Sequence, residues 1–209
     1  MRTEFDPAAG HPYAFYSLLT SIVVPRPIAW VTSLGPDGAP NLAPHSFFTV
    51  SCVVPPVIQF TSVGRKDSLN NIERQGEFTV SLASEPLFEQ VNASATEFPP
   101  DVSEFEAVGL RPEASARVAP PRVADSPAVM ECTLRDTISF GDSTVVFGRV
   151  VLAAVDSDAL DESGRPAVRA LRPLARLGAN EWSTIGEVLD LPRIPVAEWP
   201  GHYRGARAD

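Results

Sequence analysis

With 209 residues, 44% of them hydrophobic and 21% charged, the chain has the composition of an ordinary globular protein long enough to bury a real core. Its formal net charge of -9 repels polyanions, and no stretch concentrates enough basic residues to bind nucleic acid. Met1 to Asp6 contains no apolar signal core, and no apolar run approaches the roughly twenty residues of a membrane span, so a cytoplasmic protein with neither nucleic-acid nor membrane partners is expected. Cys52 and Cys132 lie far apart in apolar, strand-like runs. That placement predicts buried free thiols, and their spacing matches no metal site.

The first element is Tyr13 to Thr20, a short helical segment leading into Val23-Val24. Pro25-Arg26-Pro27 then holds the backbone extended, because proline fixes φ and disfavours helix in the residue before it. Ile28 to Leu34 reads as a strand, and Gly35-Pro36-Asp37-Gly38 turns it back, antiparallel, into a strand from Ala39 to Ser51. Ile28, Trp30 and Thr32 share one face of the first strand, while Ala29, Val31 and Ser33 share the other. Neither face is fully polar, which predicts a hairpin buried on both sides. Pro44 in the returning strand cannot donate a ladder hydrogen bond, so it marks an edge or a bulge. Such a place leaves backbone groups free to meet a ligand, and the small residues Ala43 and Ser46 let a flat ring approach. A simple bulged barrel strand fits the same residues. His45, taken alone, fits a packed or solvent-facing histidine better than a catalyst, and His11 and His202 lie near the termini.

The apolar run Val57 to Ser62 ends in a turn at Gly64, after which Arg65-Lys66-Asp67-Ser68-Leu69-Asn70-Asn71-Ile72 opens a helix. Asp67 and Ser68 are good capping residues. The free N–H groups of a helix start attract anions, and Arg65 and Lys66 add full positive charge beside them. Together these residues describe a phosphate seat. Lys66 is the only lysine in the chain; every other cation is arginine. A solvated charge pair before a surface helix is the plainer alternative.

The helix is predicted to end near Arg74-Gln75-Gly76, followed by a strand over Glu77 to Ala83 and a second helix over Pro86 to Asn92 with proline at an early position. Residues 98–127, rich in Pro, Glu, Ala and Val with Phe105 and Leu110 as isolated anchors, read as a long surface excursion within the domain. Val129 to Phe140 and Thr144 to Val155 form a second hairpin around Gly141-Asp142. About six mostly antiparallel strands with short helices between them give a mainly β fold, and closure into a barrel removes its edges. Arg165, Arg169, Arg172 and Arg176 follow an acidic loop. They either offset nearby carboxylates or reach across a subunit interface toward a bound anion. Glu181 to Leu189 is predicted to be a short helix, and the tail from Gly201 to fray.

No Gly-x-Gly-x-x-Gly run, nucleotide P-loop, Gly-x-Ser-x-Gly elbow, His-Glu-x-x-His pair or paired-cysteine motif occurs in the sequence. A phosphate seat and ring-accommodating strands with few catalytic side chains point to a cofactor that carries the chemistry. Pro25 to Thr32, Asn41 to Phe48, Ser62 to Ile72 and Leu171 to Trp182, in that order, resemble the flavin reductase-like, FMN-binding split-barrel family. The match spans roughly residues 12 to 195 of a single domain over 1–209, with 196–209 as a tail. The resemblance implies a Greek-key-like split β-barrel, a homodimer with FMN near its interface, and hydride uptake from NADH or NADPH. His45 and Trp182 stand where the family often has tyrosine, and Ser68 where it often has threonine. Serine keeps the hydroxyl; the two ring changes bear on substrate choice more than on flavin binding.

In the arrangement this implies, Lys66 and Arg65 neutralise the FMN phosphate while Ser62, Ser68 and the amides around Asp67 donate to it. The segment Asn41, Ala43, Pro44, His45 and Ser46 lines the edge of the isoalloxazine, Trp30 and Thr32 flank it, and Arg26 and Asn71 belong to the same binding set. Arg176 arrives from the partner chain. Hydride passes directly between the rings, so no catalytic side chain is assigned. A flavin-dependent monooxygenase or other acceptor would take the electrons. Other readings of the same residues are an FMN-binding electron carrier without efficient NAD(P)H turnover, a pyridoxamine-phosphate oxidase-like enzyme, and a cofactor-free dimeric interaction module.

Overall fold

The computed structural model describes residues 1–99 and 102–205. In chain order the elements are α1 (Pro12–Ile22), β1 (Arg26–Pro27), β2 (Ala29–Leu34), β3 (Pro40–His45), β4 (Phe48–Cys52), β5 (Val57–Val63), α2 (Asp67–Gln75), β6 (Glu77–Leu82), α3 (Phe88–Ala93), α4 (Glu104–Ala107), β7 (Pro112–Glu113), β8 (Arg122–Val123), β9 (Ala128–Phe140), β10 (Ser143–Val155), α5 (Val168–Leu171), β11 (Ala175–Arg176) and β12 (Trp182–Ser183). The fold is mainly β with short helices, as the sequence predicts. No helix among the described residues is long and apolar enough to cross a membrane.

Seven strands form one antiparallel sheet in the order β3-β2-β6-β9-β10-β5-β4. Its two end strands, β3 and β4, are consecutive in sequence and separated only by Ser46 and Phe47. In a flat sheet their edges would lie about 29 Å apart at the usual strand spacing, whereas the link from His45 to Phe48 spans at most about 11 Å. The sheet must therefore curl until its ends meet, and Thr61 N donates to Phe47 O at 2.9 Å, carrying the β4–β5 ladder into the link that joins the two end strands. The result is the split barrel implied by the family resemblance. The single returning strand predicted from Ala39 to Ser51 is instead two strands: β3 pairs with β2, and β4 crosses the seam to pair with β5. Pro44 accounts for the break, since it cannot extend a ladder on its open side.

Both faces of β2 are covered, in the parity the sequence predicts. Ala29 and Val31 join Phe60, Phe78, Leu69, Ile72 and Val146 inside the barrel, while Ile28 and Trp30 join Leu42, Val91, Phe105, Leu110 and Val123 in a second cluster outside it. Phe60 and Phe78 meet edge to face at 5.7 Å, a favoured aromatic geometry. Gly148 lies directly under Phe78, where a Cβ would sit 2.3 Å from Cζ. Only glycine lets β10 pass that ring.

The segment between α3 and β9 packs Phe105, Leu110 and Val123 onto the barrel. Glu131 of β9, with no exposed surface, anchors it by accepting from Ala116 N at 2.9 Å, Arg117 N at 2.6 Å, and Arg122 Nε at 2.9 Å and Nη2 at 2.5 Å. Burial alone would raise the carboxyl's pKa; these donors outweigh it and hold the group below the usual glutamate range.

Two further expectations change. Glu181 to Leu189 is not helical: Trp182 and Ser183 form β12 against β11, and the chain beyond is irregular. Trp182, Thr184, Ile185 and Val188 are aromatic or β-branched and Gly186 interrupts them, so helix propensity there is low. Cys52 is exposed at the end of β4, whereas Cys132 is buried, and burial pushes the Cys132 thiol up to about 12. In the tail, Trp199 stacks on Tyr203 at 5.1 Å; residues 206–209 lie outside the described residues.

Candidate functional site

A cavity of about 450 Å³ opens where the barrel seam meets the start of α2, a volume within the range of small-molecule sites. Asn41, Ala43, Pro44, His45 and Ser46 of the β3 side and Arg65, Lys66, Asp67 and Ser68 of the α2 side all line it. The structure thus brings together two motifs that β4 and β5 separate in the chain.

The α2 end is rich in donors. Lys66, not Asp67 or Ser68, occupies the N-cap, and no side chain caps the helix. Asp67 and Ser68 are instead the first helical residues, because Gly64, with φ of 78°, delivers the chain to the helix one residue earlier than the capping pattern implies. Among the described residues, the amides of Asp67, Ser68 and Leu69 donate to no protein group. Asp67 and Ser68 line the cavity and set two of these unused donors at its end. Arg65 donates to Asn70 Oδ1 at 2.7 Å and pairs with Glu73 at 2.7 Å, so its charge is partly committed. Lys66 Nζ lies 3.7 Å from Glu97, with both side chains open to solvent. A pair so exposed is weak, which leaves the ammonium available to an anion.

The β3 wall is rich in acceptors. Pro40, Leu42 and Pro44 stand opposite Leu34, Thr32 and Trp30, at positions whose backbone groups point away from β2, since proline has no N–H to give it. Leu42 N donates outward to Glu104 Oε2 at 3.1 Å. What remains on the open side is carbonyl oxygen. Glu104 also lines the cavity, and burial raises its carboxyl above the usual glutamate range.

His45 lies at the seam, 8% exposed, with Nε2 buried and unpartnered, its ring tilted against Phe60 at 4.6 Å. Burial, with the charge of Lys66 adding to it, pushes the imidazole down to about 4. It is neutral at pH 7. Because the unfolded chain takes up a proton near pH 6.5 that the folded chain refuses until about 4, His45 costs stability progressively between those values. Replacement of His45 by Phe is expected to lessen the stability lost between pH 7 and pH 4.5 by roughly 2–3 kcal/mol, measured by urea unfolding at the two pH values.

Other residues assigned from sequence do not line the cavity. Trp30 is fully buried and donates through Nε1 to Ser94 Oγ at 2.9 Å; it stands behind the wall that Ser94 forms. Thr32 is fully buried with its Oγ1 unpartnered. Ser62 turns its Oγ onto Gly64 O at 3.0 Å and shapes the turn. Asn71 is buried beneath α2, with Nδ2 donating to Ser33 Oγ at 3.2 Å. Arg26 caps the end of α1 through the carbonyls of Thr20 and Val23 and reaches Leu177 O. Arg176 pairs with Arg26 across β1 and β11 and covers the Trp182 ring at 4.5 Å. Arg165 and Arg172 meet Asp161 and Glu85, the charge-offsetting role.

The cavity also takes in residues that sequence reasoning passed over: Tyr16, Phe47, Thr61, Val63, the segment Ser94 to Phe98, and Glu104. Ser94 to Phe98 follows α3 with no motif of its own.

A family model described as a flavin reductase like domain matches residues 21–175. An uncharacterized protein of Aquifex aeolicus is 39% identical over 170 residues, covering 79% of this chain and 87% of its own length. Nitrilotriacetate monooxygenase component B from Bacillus cereus is similar in structure, with a TM-score of 0.87 and 31% identity over 91% of this chain and 99% of that one. Pseudomonas fluorescens 2-nitrobenzoate 2-nitroreductase NbaA gives a TM-score of 0.86 and 32% identity, covering 93% of this chain and 97% of its own. With the cavity at the seam and the matched residues running through both of its walls, the chain belongs to the flavin reductase-like family of split barrels.

Proposed function

We propose that this protein binds FMN in the seam cavity and acts as an oxidoreductase that uses NADH or NADPH to reduce flavin. One observation carries the reading: a cavity of fitting size has unused amide donors and an ammonium at one end and an acceptor-only strand edge along its side. FMN has the complementary ends, an anionic phosphate and a flat ring whose imide N–H needs an acceptor. Family membership supports the same cofactor.

Lys66 and the amides of Asp67 and Ser68 hold the phosphate, Ser68 adds a hydroxyl, and the β3 carbonyls beside Ala43 and Pro44 orient the ring. Bound there, FMN supplies the hydride chemistry that the cavity side chains lack. His45, neutral and apolar-packed, keeps water and charge from that side of the ring. A second copy of the chain fits the apolar face at the end of α1, where Tyr16, Leu19, Ile22 and Val23 stay exposed, and would bring its own Arg176 toward the cavity. The likeness to a monooxygenase component supports a flavin-dependent monooxygenase as the acceptor of the electrons.

The absorption spectrum of the purified protein, followed by NADH and NADPH oxidation with added FMN, tests this. Flavin bands and steady turnover are expected. Flavin bands without turnover would replace the reductase with an electron carrier, and a colourless protein that FMN titration leaves unchanged would remove the flavin assignment altogether.

A further inference from the structure

Behind the α2 end of the cavity Ser68 joins a polar cluster whose member Ser33 the flavin reading does not use. Ser33, on β2, is fully buried, as is Ser68 at 1% exposure, and Asn71 is 7% exposed. Asn71 Nδ2 donates to Ser33 Oγ at 3.2 Å, Asn41 Nδ2 donates to the same oxygen at 3.4 Å, and Asn41 Nδ2 donates again to Ser68 Oγ at 3.1 Å. The directions in this chain are fixed by chemistry. An amide nitrogen can only donate, so Ser33 and Ser68 both receive.

Since Ser68 Oγ receives from Asn41, its own O–H must point elsewhere. Among the described residues that hydrogen has no protein acceptor, and Ser68 lines the cavity. The hydroxyl therefore faces the cavity as a donor, matching the amides and the ammonium beside it. With Ser33 as a second acceptor for the Asn41 amide, the Asn41 side chain is held with its nitrogen toward both serines. Without Ser33 the amide can turn and present its oxygen to Ser68, whose hydrogen would then turn inward.

We propose that Ser33, which does not touch the cavity, is a positioning residue that acts through Asn41 to aim the Ser68 hydroxyl at a phosphate monoester. This inference rests on the FMN reading above and specifies how the seat tells a phosphorylated flavin from one without the phosphate.

The test is titration of flavin-free protein with FMN and, separately, with riboflavin, read by quenching of flavin fluorescence. Wild-type protein should bind FMN more tightly. Ser33→Ala should lower FMN affinity about tenfold, the worth of one hydrogen bond to a charged acceptor, and leave riboflavin affinity unchanged. Ser33→Ala combined with Ser68→Ala should be no worse than Ser68→Ala alone, because the first acts only through the second. Ser33→Thr, which keeps the oxygen, should retain the wild-type preference. If Ser33→Ala is poorly folded, Ser33→Cys, a near-equal volume with a weak acceptor, should show the same loss of preference. Equal losses for both flavins, or additive losses in the double variant, would overturn the inference while leaving the FMN reading intact. Wild-type protein that binds the two flavins equally would overturn both.

Discussion

Lys66→Ala protein is expected to leave purification with little or no flavin, and its affinity for FMN should fall by about 10- to 100-fold, the range for one charge-assisted hydrogen bond to phosphate. Lys66 is the sole lysine in the sequence and its side chain is 55% exposed, so part of the attraction is screened by salt. Wild-type affinity should therefore decline as ionic strength rises, and the variant's should respond less. Arg65 fills the gap only in part, because Glu73 and Asn70 engage its guanidinium. Isothermal titration of the flavin-free proteins with FMN at two salt concentrations measures both effects. Stoichiometric yellow cofactor on the variant would place the phosphate elsewhere.

The largest effect on stability is expected at Glu131. Glu131→Gln swaps one carboxylate oxygen for an NH2 group that must face either the Arg117 N–H at the Oε2 position or the Ala116 and Arg122 donors at the Oε1 position, while Arg122, with 14% of its side chain exposed, loses the charge of its buried partner. Breaking one side of such a pair costs about 3–5 kcal/mol, which for a chain of this length lowers the melting temperature by roughly 10 °C. The carboxyl's pKa is lowered in the folded state, so its contribution is present above the unfolded-state value and disappears as pH falls through the folded one. The gap in stability between wild type and variant should accordingly be full at pH 7 and narrow below about pH 4, as thermal melts across that range will show. An unchanged gap would mean that the charge of Glu131 is not what holds the loop.

Much of the barrel could be read from residue patterns. The long β9–β10 hairpin is predicted within a residue at each end, because alternation over thirteen residues and a Gly-Asp turn leave little freedom in register. The parity of β2, with Trp30 and Ala29 on opposite faces, follows from the pleat alone. What the pattern could not show is where a strand changes partners. Ala39 to Ser51 reads as one extended run, and only the closed sheet reveals that its two halves bond to opposite ends of that sheet.

The candidate site divides in the same way. Residues whose chemistry is local, such as the Lys66 helix start and the Pro44 edge, do line the cavity. Trp30, Thr32 and Ser62 belong to the motifs that carry the family resemblance, but their side chains turn into the core or onto the turn. Glu104 and the Ser94 to Phe98 segment reach the cavity from distant parts of the chain. Nothing in their own sequence announces a destination that only tertiary packing sets.

The open side of β3 has a consequence for the molecule in a crowded cell. A terminal strand of a sheet ordinarily offers alternating N–H and C=O groups that a stray peptide or a misfolded neighbour can extend into a fibril. Here two of the three outward positions are prolines and the third amide is already taken by Glu104, so an incoming backbone would find no hydrogen to accept. The same substitutions that shape a ligand wall thus also guard the barrel against templated aggregation.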